Sequence, residues 1–126
     1  MKQFYVVKKG TAADFLVEAE SFEGVKLIAE TVAEDIKEVS DVLPAQKQEL
    51  QQCSTERVIL MATVNKSPLL ERLETEGRLS LEQIRGKREV YLMQLIETPF
   101  SERPEIKELL VIAGSDKRGT IYGMFH

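Results

Sequence analysis

The sequence predicts an α+β domain in which a mixed sheet of four to five strands carries two or three helices. Residues 25–39 repeat apolar side chains at helical spacing, residues 57–64 form a nearly unbroken apolar run, and two more β-like runs cover residues 90–96 and 109–113. Helical spacing indicates one apolar helix face, whereas a continuous apolar run is typical of a strand covered on both faces. The expected element order is therefore β β α β α β β α.

Two short β-like runs, residues 4–8 and 15–17, open the chain on either side of Gly10. We expect an opening strand or hairpin at a sheet edge. The first helix follows, with Ser21 as its expected cap and Pro44 as a barrier to its continuation. Its apolar face contains Val25, Ile28, Ala29, Val32, Ala33, Ile36 and Val39.

The middle of the chain alternates loop, strand and helix. Residues 45–56 are polar and without period, which predicts a surface loop before the central strand at residues 57–64. A second helix should begin at Asn65 or Ser67, since Pro68 suits a first helical turn. We expect Gly77 to end this helix.

The last third predicts a loose hairpin and a final helix. Residues 81–84 read as a turn or short helix that closes at Gly86, before two strands joined by about a dozen residues. The final helix should begin near Thr120 and place Ile121, Met124 and Phe125 on one face. Two turns are marginal for a helix, so we expect this element to continue in a longer protein.

Composition excludes several classes of function. The 126 residues suit one folded domain, since 43% are hydrophobic and 30% charged. A net charge of −4 disfavours a nucleic-acid partner. No apolar run approaches the length of a membrane span, and the first residues lack the apolar core of a signal peptide. The single Cys53 forms no metal cluster and is expected to be a bystander, so no metal or cofactor is predicted.

Two groups of residues are candidates for chemistry. The loop from Gly114 to Gly119 joins a strand to a helix start, an arrangement that aims backbone amides at a phosphate or carboxylate, with Lys117 and Arg118 adding charge. Alternatively, Gly114 and Gly119 serve tight turns and Gly123 allows close helix packing. Glu89 precedes a strand, and with Asp116 it makes a carboxylate pair possible.

Several motifs resemble one enzyme family. The run Val-Ile-Ala-Gly-Ser-Asp-Lys-Arg-Gly-Thr-Ile-Tyr-Gly-Met-Phe at residues 111–125 closely resembles a signature of the α-glucuronidases of glycoside hydrolase family 115. Three further stretches agree in order: residues 22–25 (Phe-Glu-Gly-Val), 65–70 (Asn-Lys-Ser-Pro-Leu-Leu) and 84–89 (Ile-Arg-Gly-Lys-Arg-Glu). The resemblance covers most of the chain from about Ser21 onward.

The resemblance implies a non-catalytic N-terminal accessory domain over residues 1–126, similar to the second domain of chitobiases and β-hexosaminidases. Its partner would be its own C-terminal TIM-like barrel, which holds the catalytic carboxylates and is absent from this chain. The parent enzyme would remove glucuronic acid or its 4-O-methyl ether from xylan in the periplasm or outside the cell. Glu89, Asp116, Lys117 and Arg118 are carried over as groups that face the substrate cleft or stabilise domain docking. The isolated chain is expected to be inactive.

Two alternatives remain open from the residues alone. A stand-alone carbohydrate-binding module needs exposed aromatic platforms, and this chain has no Trp and only Tyr5, Tyr91 and Tyr122 as tyrosines. A phosphate-binding domain would use the loop from Gly114 to Gly119.

Overall fold

The structure is a computed structural model that describes residues 6–8 and 10–125. A five-stranded mixed sheet has the strand order β4-β3-β5-β7-β6, and three α-helices pack on it. The predicted α+β class is therefore confirmed. The elements are β1 Val7–Lys8, β2 Thr11–Ala12, β3 Asp14–Leu16, α1 Glu23–Ser40, β4 Gln46–Lys47, β5 Arg57–Thr63, α2 Pro68–Thr75, β6 Tyr91–Glu97, β7 Glu108–Gly114 and α3 Lys117–Met124.

The sheet is parallel except at one edge. β3 pairs in parallel with β4 and β5, and β5 pairs in parallel with β7. β6 runs antiparallel to β7, which confirms the predicted hairpin between residues 90 and 113. The predicted central strand is confirmed as β5, which has a paired strand on each side.

The opening strands differ from the prediction. β1 and β2 form a separate small hairpin, while residues 4 and 5 of the predicted run lie outside the described part of the chain. β3 does not lie at a sheet edge, because the short strand β4 pairs beyond it. Phe15 is only 1% exposed. The predicted surface loop over residues 45–56 contains β4 and a short 3-10 helix, Leu50–Gln52, which the sequence did not indicate.

The helices cover opposite faces of the sheet. Val25, Ala29 and Ala33 of α1 pack with Met124 of α3 on one face. Leu70 and Leu73 of α2 join the core cluster on the other face, with the turn around residues 81–84 beside them. Two predicted face residues are solvent-exposed instead, Val39 at 90% and Phe125 at 60%.

The helix ends agree with the sequence at α2 and differ at α1. Ser67 caps α2 by accepting from the N–H of Leu70 at 3.0 Å, and Gly77 follows the helix with φ of 74°. This conformation favours glycine. α1 instead has Phe22 at its N-cap position with no side-chain cap, so the predicted cap by Ser21 was wrong. Among the described residues, no helix is both long enough and apolar enough to cross a membrane.

Candidate functional site at the carboxyl edge of the sheet

Four loops of the chain meet at one edge of the sheet. β3, β5 and β7 are parallel, so their carboxyl ends share that edge. Tyr91 pairs with Gly114, which places the start of β6 there as well. We call this the carboxyl edge; it comprises residues 17–22, 64–67, 86–90 and 115–118. In open α/β sheets, ligands bind outside the carboxyl ends of the strands.

Three of the four predicted site residues form one cluster at this edge. The Nη1 of Arg118 donates to Oε1 of Glu89 at 2.9 Å, and the backbone N–H of Glu89 donates to Oδ2 of Asp116 at 3.1 Å. The other oxygen of Asp116 accepts from the N–H of Gly119 at 2.8 Å and thereby caps α3. These two backbone bonds, with Gly119 the larger cause, lower the pKa of Asp116. The hydrogen bond with Glu89 raises the pKa of Arg118.

Glu89 adopts an unusual backbone conformation. Its φ is 56°, in the left-handed region that L-residues with a Cβ rarely adopt. The bonds to Asp116 and Arg118 hold the residue in this conformation. Strain of this kind concentrates at functional sites, so the conformation of Glu89 makes it a candidate functional residue.

Lys117 lies apart from this cluster, at the start of α1. A Cβ atom on Gly24 would lie 2.5 Å from Cε of Lys117 and 3.1 Å from its Nζ. The lysine side chain therefore rests directly on the first turn of α1. Glycine at position 24 makes this contact possible.

The loop from Gly114 to Gly119 is shaped by close packing. Neither glycine has a positive φ, so the prediction that they serve tight turns was wrong. A Cβ on Gly114 would overlap the backbone of Thr120, and one on Gly119 would overlap the carbonyl of Val90. Gly123 does allow close packing, as predicted, because a Cβ there would lie 2.6 Å from Cγ2 of Ile112.

The carboxylate of Asp116 already accepts a hydrogen bond at the N-terminus of α3, where a bound phosphate would have to lie. An incoming phosphate would therefore have to displace an internal capping group, which disfavours the predicted phosphate cradle. Asp116 is also unsuited to act as a general acid in glycoside cleavage. That role requires a raised pKa, whereas the pKa of Asp116 is lowered.

Sequence reasoning missed a buried carboxyl group at this edge. Glu18 is 6% exposed and accepts from the hydroxyl of Ser67 and, at 3.1 Å, from the N–H of Leu69. Burial raises the pKa of Glu18 despite these hydrogen bonds. Its position directly after the β-like run at residues 15–17 was the available signal, because strand ends place side chains at a sheet edge.

Cys53 shows no sign of reactivity. It is 2% exposed, and burial raises the pKa of its thiol to about 11. A thiol that stays protonated at neutral pH is a poor nucleophile and metal ligand. Within residues 6–8 and 10–125, no group of three or more His, Cys, Asp or Glu side chains is arranged to hold a metal ion.

No family model matches the chain, and no curated protein matches it. The resemblance to family 115 therefore rests on the motifs in the sequence.

Proposed function

We propose that this chain is the non-catalytic accessory domain of a glycoside hydrolase that resembles the α-glucuronidases acting on xylan side chains, with a fold similar to the second domain of chitobiases and β-hexosaminidases. Its role is to dock beside a catalytic barrel. One observation carries the proposal. The four stretches that bear the resemblance each include residues of the carboxyl edge: residues 22–25, 65–70, 84–89 and 111–125.

This gathering supports a shared surface role because the stretches are far apart in the chain. Some motif residues serve the core, since Val111 and Ile112 lie in the core clusters on opposite faces of the sheet. Others lie at the surface: Arg118 and Glu89 form an ion pair whose side chains are 74% and 44% exposed. An exposed pair of this kind contributes little to folding, with a typical value of about 0–1 kcal/mol. Its side chains are accessible to a partner domain.

The geometry of the carboxyl groups favours a non-catalytic domain. Glycoside hydrolysis requires a protonated acid and a second carboxylate at a defined separation across the sugar. At the carboxyl edge, Asp116 is held ionised by backbone donors and Glu89 is paired with Arg118. Glu18 has a raised pKa but is buried under α2. The catalytic carboxylates therefore belong to the proposed barrel.

An NMR titration tests the docking role. The ¹⁵N-labelled chain is mixed with a separately produced catalytic barrel from a family 115 α-glucuronidase. We expect the amide signals of residues 86–90 and 115–118 to change first. Arg118→Glu should weaken the association, whereas Lys37→Glu, an equal charge reversal at an exposed position of α1, should leave it unchanged.

Two results would contradict the proposal. One is release of glucuronic acid from glucuronoxylan by the pure chain. The other is that the barrel fails to bind, or changes only signals far from the carboxyl edge, such as those of Leu27 and Val39.

One observation favours a carbohydrate-binding module as a second candidate. Tyr122 and Phe125 are 50% and 60% exposed, and they lie one and two turns along α3 from Arg118. Aromatic rings beside a guanidinium suit stacking against an acidic sugar. Titration with xylo-oligosaccharides carrying glucuronic acid tests this role. Saturable binding that Tyr122→Ala abolishes would support the module, and unchanged spectra would exclude it.

A further inference from the structure

A long and regular strand, β6, forms one edge of the sheet. Its residues Tyr91 to Leu95 are all partly exposed, and its seven residues pair with β7 without interruption. In the described part of the chain, no strand pairs with the other side of β6, which we call its outer side. At the end of the strand, the guanidinium of Arg78 donates to the carbonyl of Glu97 at 2.6 Å.

The outer side of β6 presents backbone hydrogen-bonding groups at alternate residues. The residues just outside the strand, Val90 and Thr98, both bond across to the β7 side, to residues 115 and 107. In an antiparallel pair, successive residues alternate between facing the partner strand and facing away from it. Met93 and Leu95 therefore direct their N–H and C=O groups away from β7. Another extended strand could bind these four groups.

The two edges of the sheet differ in their protection against such pairing. The strand at the opposite edge, β4, has only two residues and closely follows Pro44. Short edge strands, proline, lysine and bulges are the usual features that prevent an edge from pairing with another chain. β6 contains no proline, lysine or bulge, and its one charged residue, Glu97, is the last of the strand. β6 is therefore the unprotected edge.

The outer side of β6 is complementary to a second copy of itself in the antiparallel direction. A two-fold axis at Gln94 pairs Met93 with Leu95 of the second copy, so that the outward N–H and C=O groups of both strands form hydrogen bonds. Like charges directly opposite each other are destabilising, but this register places Glu97 opposite Tyr91 of the second copy. The two Gln94 residues face each other, and amide side chains both donate and accept.

We infer that two copies of this chain associate through the outer sides of their β6 strands and form one continuous sheet. Leu92 packs against the core cluster on the α2 face, and Met93 packs against the cluster on the opposite face. Pairing of the strands buries more apolar surface on both faces, which stabilises the dimer. The contact is small, so the dimer is in reversible equilibrium with the monomer. The inference does not rest on the proposed docking role, because it uses neither Glu89 nor Arg118.

Two measurements on the full chain test this inference. Sedimentation equilibrium from about 10 μM to about 1 mM protein should show a monomer in equilibrium with a dimer. Amide hydrogen exchange, followed by NMR at the two ends of this range, locates the contact. We expect the amides of Met93 and Leu95 to exchange about tenfold more slowly at the high concentration, because they become hydrogen-bonded in the dimer. The amide of Gln46, at the opposite edge of the sheet, should exchange at the same rate at both concentrations.

A matched pair of substitutions separates this contact from general self-association. Leu95→Lys should weaken the dimer about tenfold, because the two-fold axis brings the two ammonium groups to neighbouring positions. Leu43→Lys, the same change at a residue that is 53% exposed near β4, should leave the dimer unchanged. If Leu95→Lys does not fold, the concentration dependence of exchange in the wild type decides.

Four results would overturn the inference. They are a chain that stays monomeric over the whole range, a dimer in which Met93 and Leu95 exchange as fast as in the monomer, and equal weakening by both substitutions. The fourth is protection of these two amides by the catalytic barrel without self-association, which would assign the outer side of β6 to another domain.

Discussion

The left-handed backbone conformation of Glu89 allows a prediction about both stability and docking. Replacement of Glu89 by glycine should relieve backbone strain but should also remove the carboxylate that we propose for docking. A residue with a Cβ pays about 1–2 kcal/mol for the left-handed conformation that Glu89 adopts at φ of 56°, whereas glycine pays almost nothing. Replacement by Gly or by Ala removes the same exposed ion pair with Arg118. The loss of this ion pair therefore does not contribute to the difference in stability between the two variants. Glycine also has more conformational freedom in the unfolded chain, which offsets part of its advantage. Glu89→Gly should therefore be more stable than Glu89→Ala by about 1 kcal/mol.

Denaturation by urea, followed by circular dichroism, measures this difference directly. Glu71 is the matched control, because it is an exposed glutamate in the first turn of α2. In a helix the order reverses, and Glu71→Ala should be more stable than Glu71→Gly by up to about 1 kcal/mol. If the free energy of unfolding of Glu89→Ala equals or exceeds that of Glu89→Gly, the backbone of Glu89 is not strained. If the strain is real and the carboxylate serves docking, Glu89→Gly should lose association with the barrel.

Three further predictions concern the support of the carboxyl edge. The hydroxyl oxygens of the buried residues Thr63 and Thr120 are 2.6 Å apart. Thr120→Val should therefore lower the free energy of unfolding by about 1–3 kcal/mol, because it leaves the hydroxyl of Thr63 without a hydrogen bond. In a double-mutant cycle, Thr63→Val combined with Thr120→Val should lower it by less than the sum of the two single changes. Gly123→Ala should lower the free energy of unfolding, measured by urea denaturation, by about 1–3 kcal/mol, because the added Cβ would overlap the side chain of Ile112. An unchanged free energy of unfolding would refute the close packing of α3 on the sheet. Because the pKa of Glu18 is raised in the folded protein, its protonated carboxyl group favours folding. The free energy of unfolding of the wild type, relative to that of Glu18→Gln, should therefore fall as the pH rises above 4.5, the ordinary pKa of a glutamate. The fall should level off above the pKa that Glu18 has in the folded protein. A difference that rises over that range would contradict the burial of Glu18.

Features of the fold that depend on residues near one another in the sequence were predicted better than features that depend on distant residues. The apolar face of α1, the cap and end of α2 and the buried strand β5 were all correctly predicted, since each depends on neighbouring residues. Two predictions that required knowledge of a distant partner were wrong. Phe15 lies inside the sheet only because β4 pairs beyond β3, and Val39 is 90% exposed although it falls on the apolar face predicted for α1.

The candidate site shows the same division. Sequence motifs selected Glu89, Asp116, Lys117 and Arg118, but they did not indicate that Lys117 turns away to rest on Gly24. They also missed the buried hydrogen bond between Glu18 and Ser67. These groups come from segments some 50 residues apart, and only the parallel pairing of β3 with β5 brings them to one edge.

By itself the sequence determined the α+β class, most helix and strand positions and the residues that resemble a family, because periodicity, capping and motifs are local properties of the chain. Only the tertiary structure decided which side chains meet at the carboxyl edge and that Gly114 and Gly119 are needed for close packing. Those outcomes depend on strand order and on the approach of α3 to the sheet, which are set by packing between residues distant in the sequence.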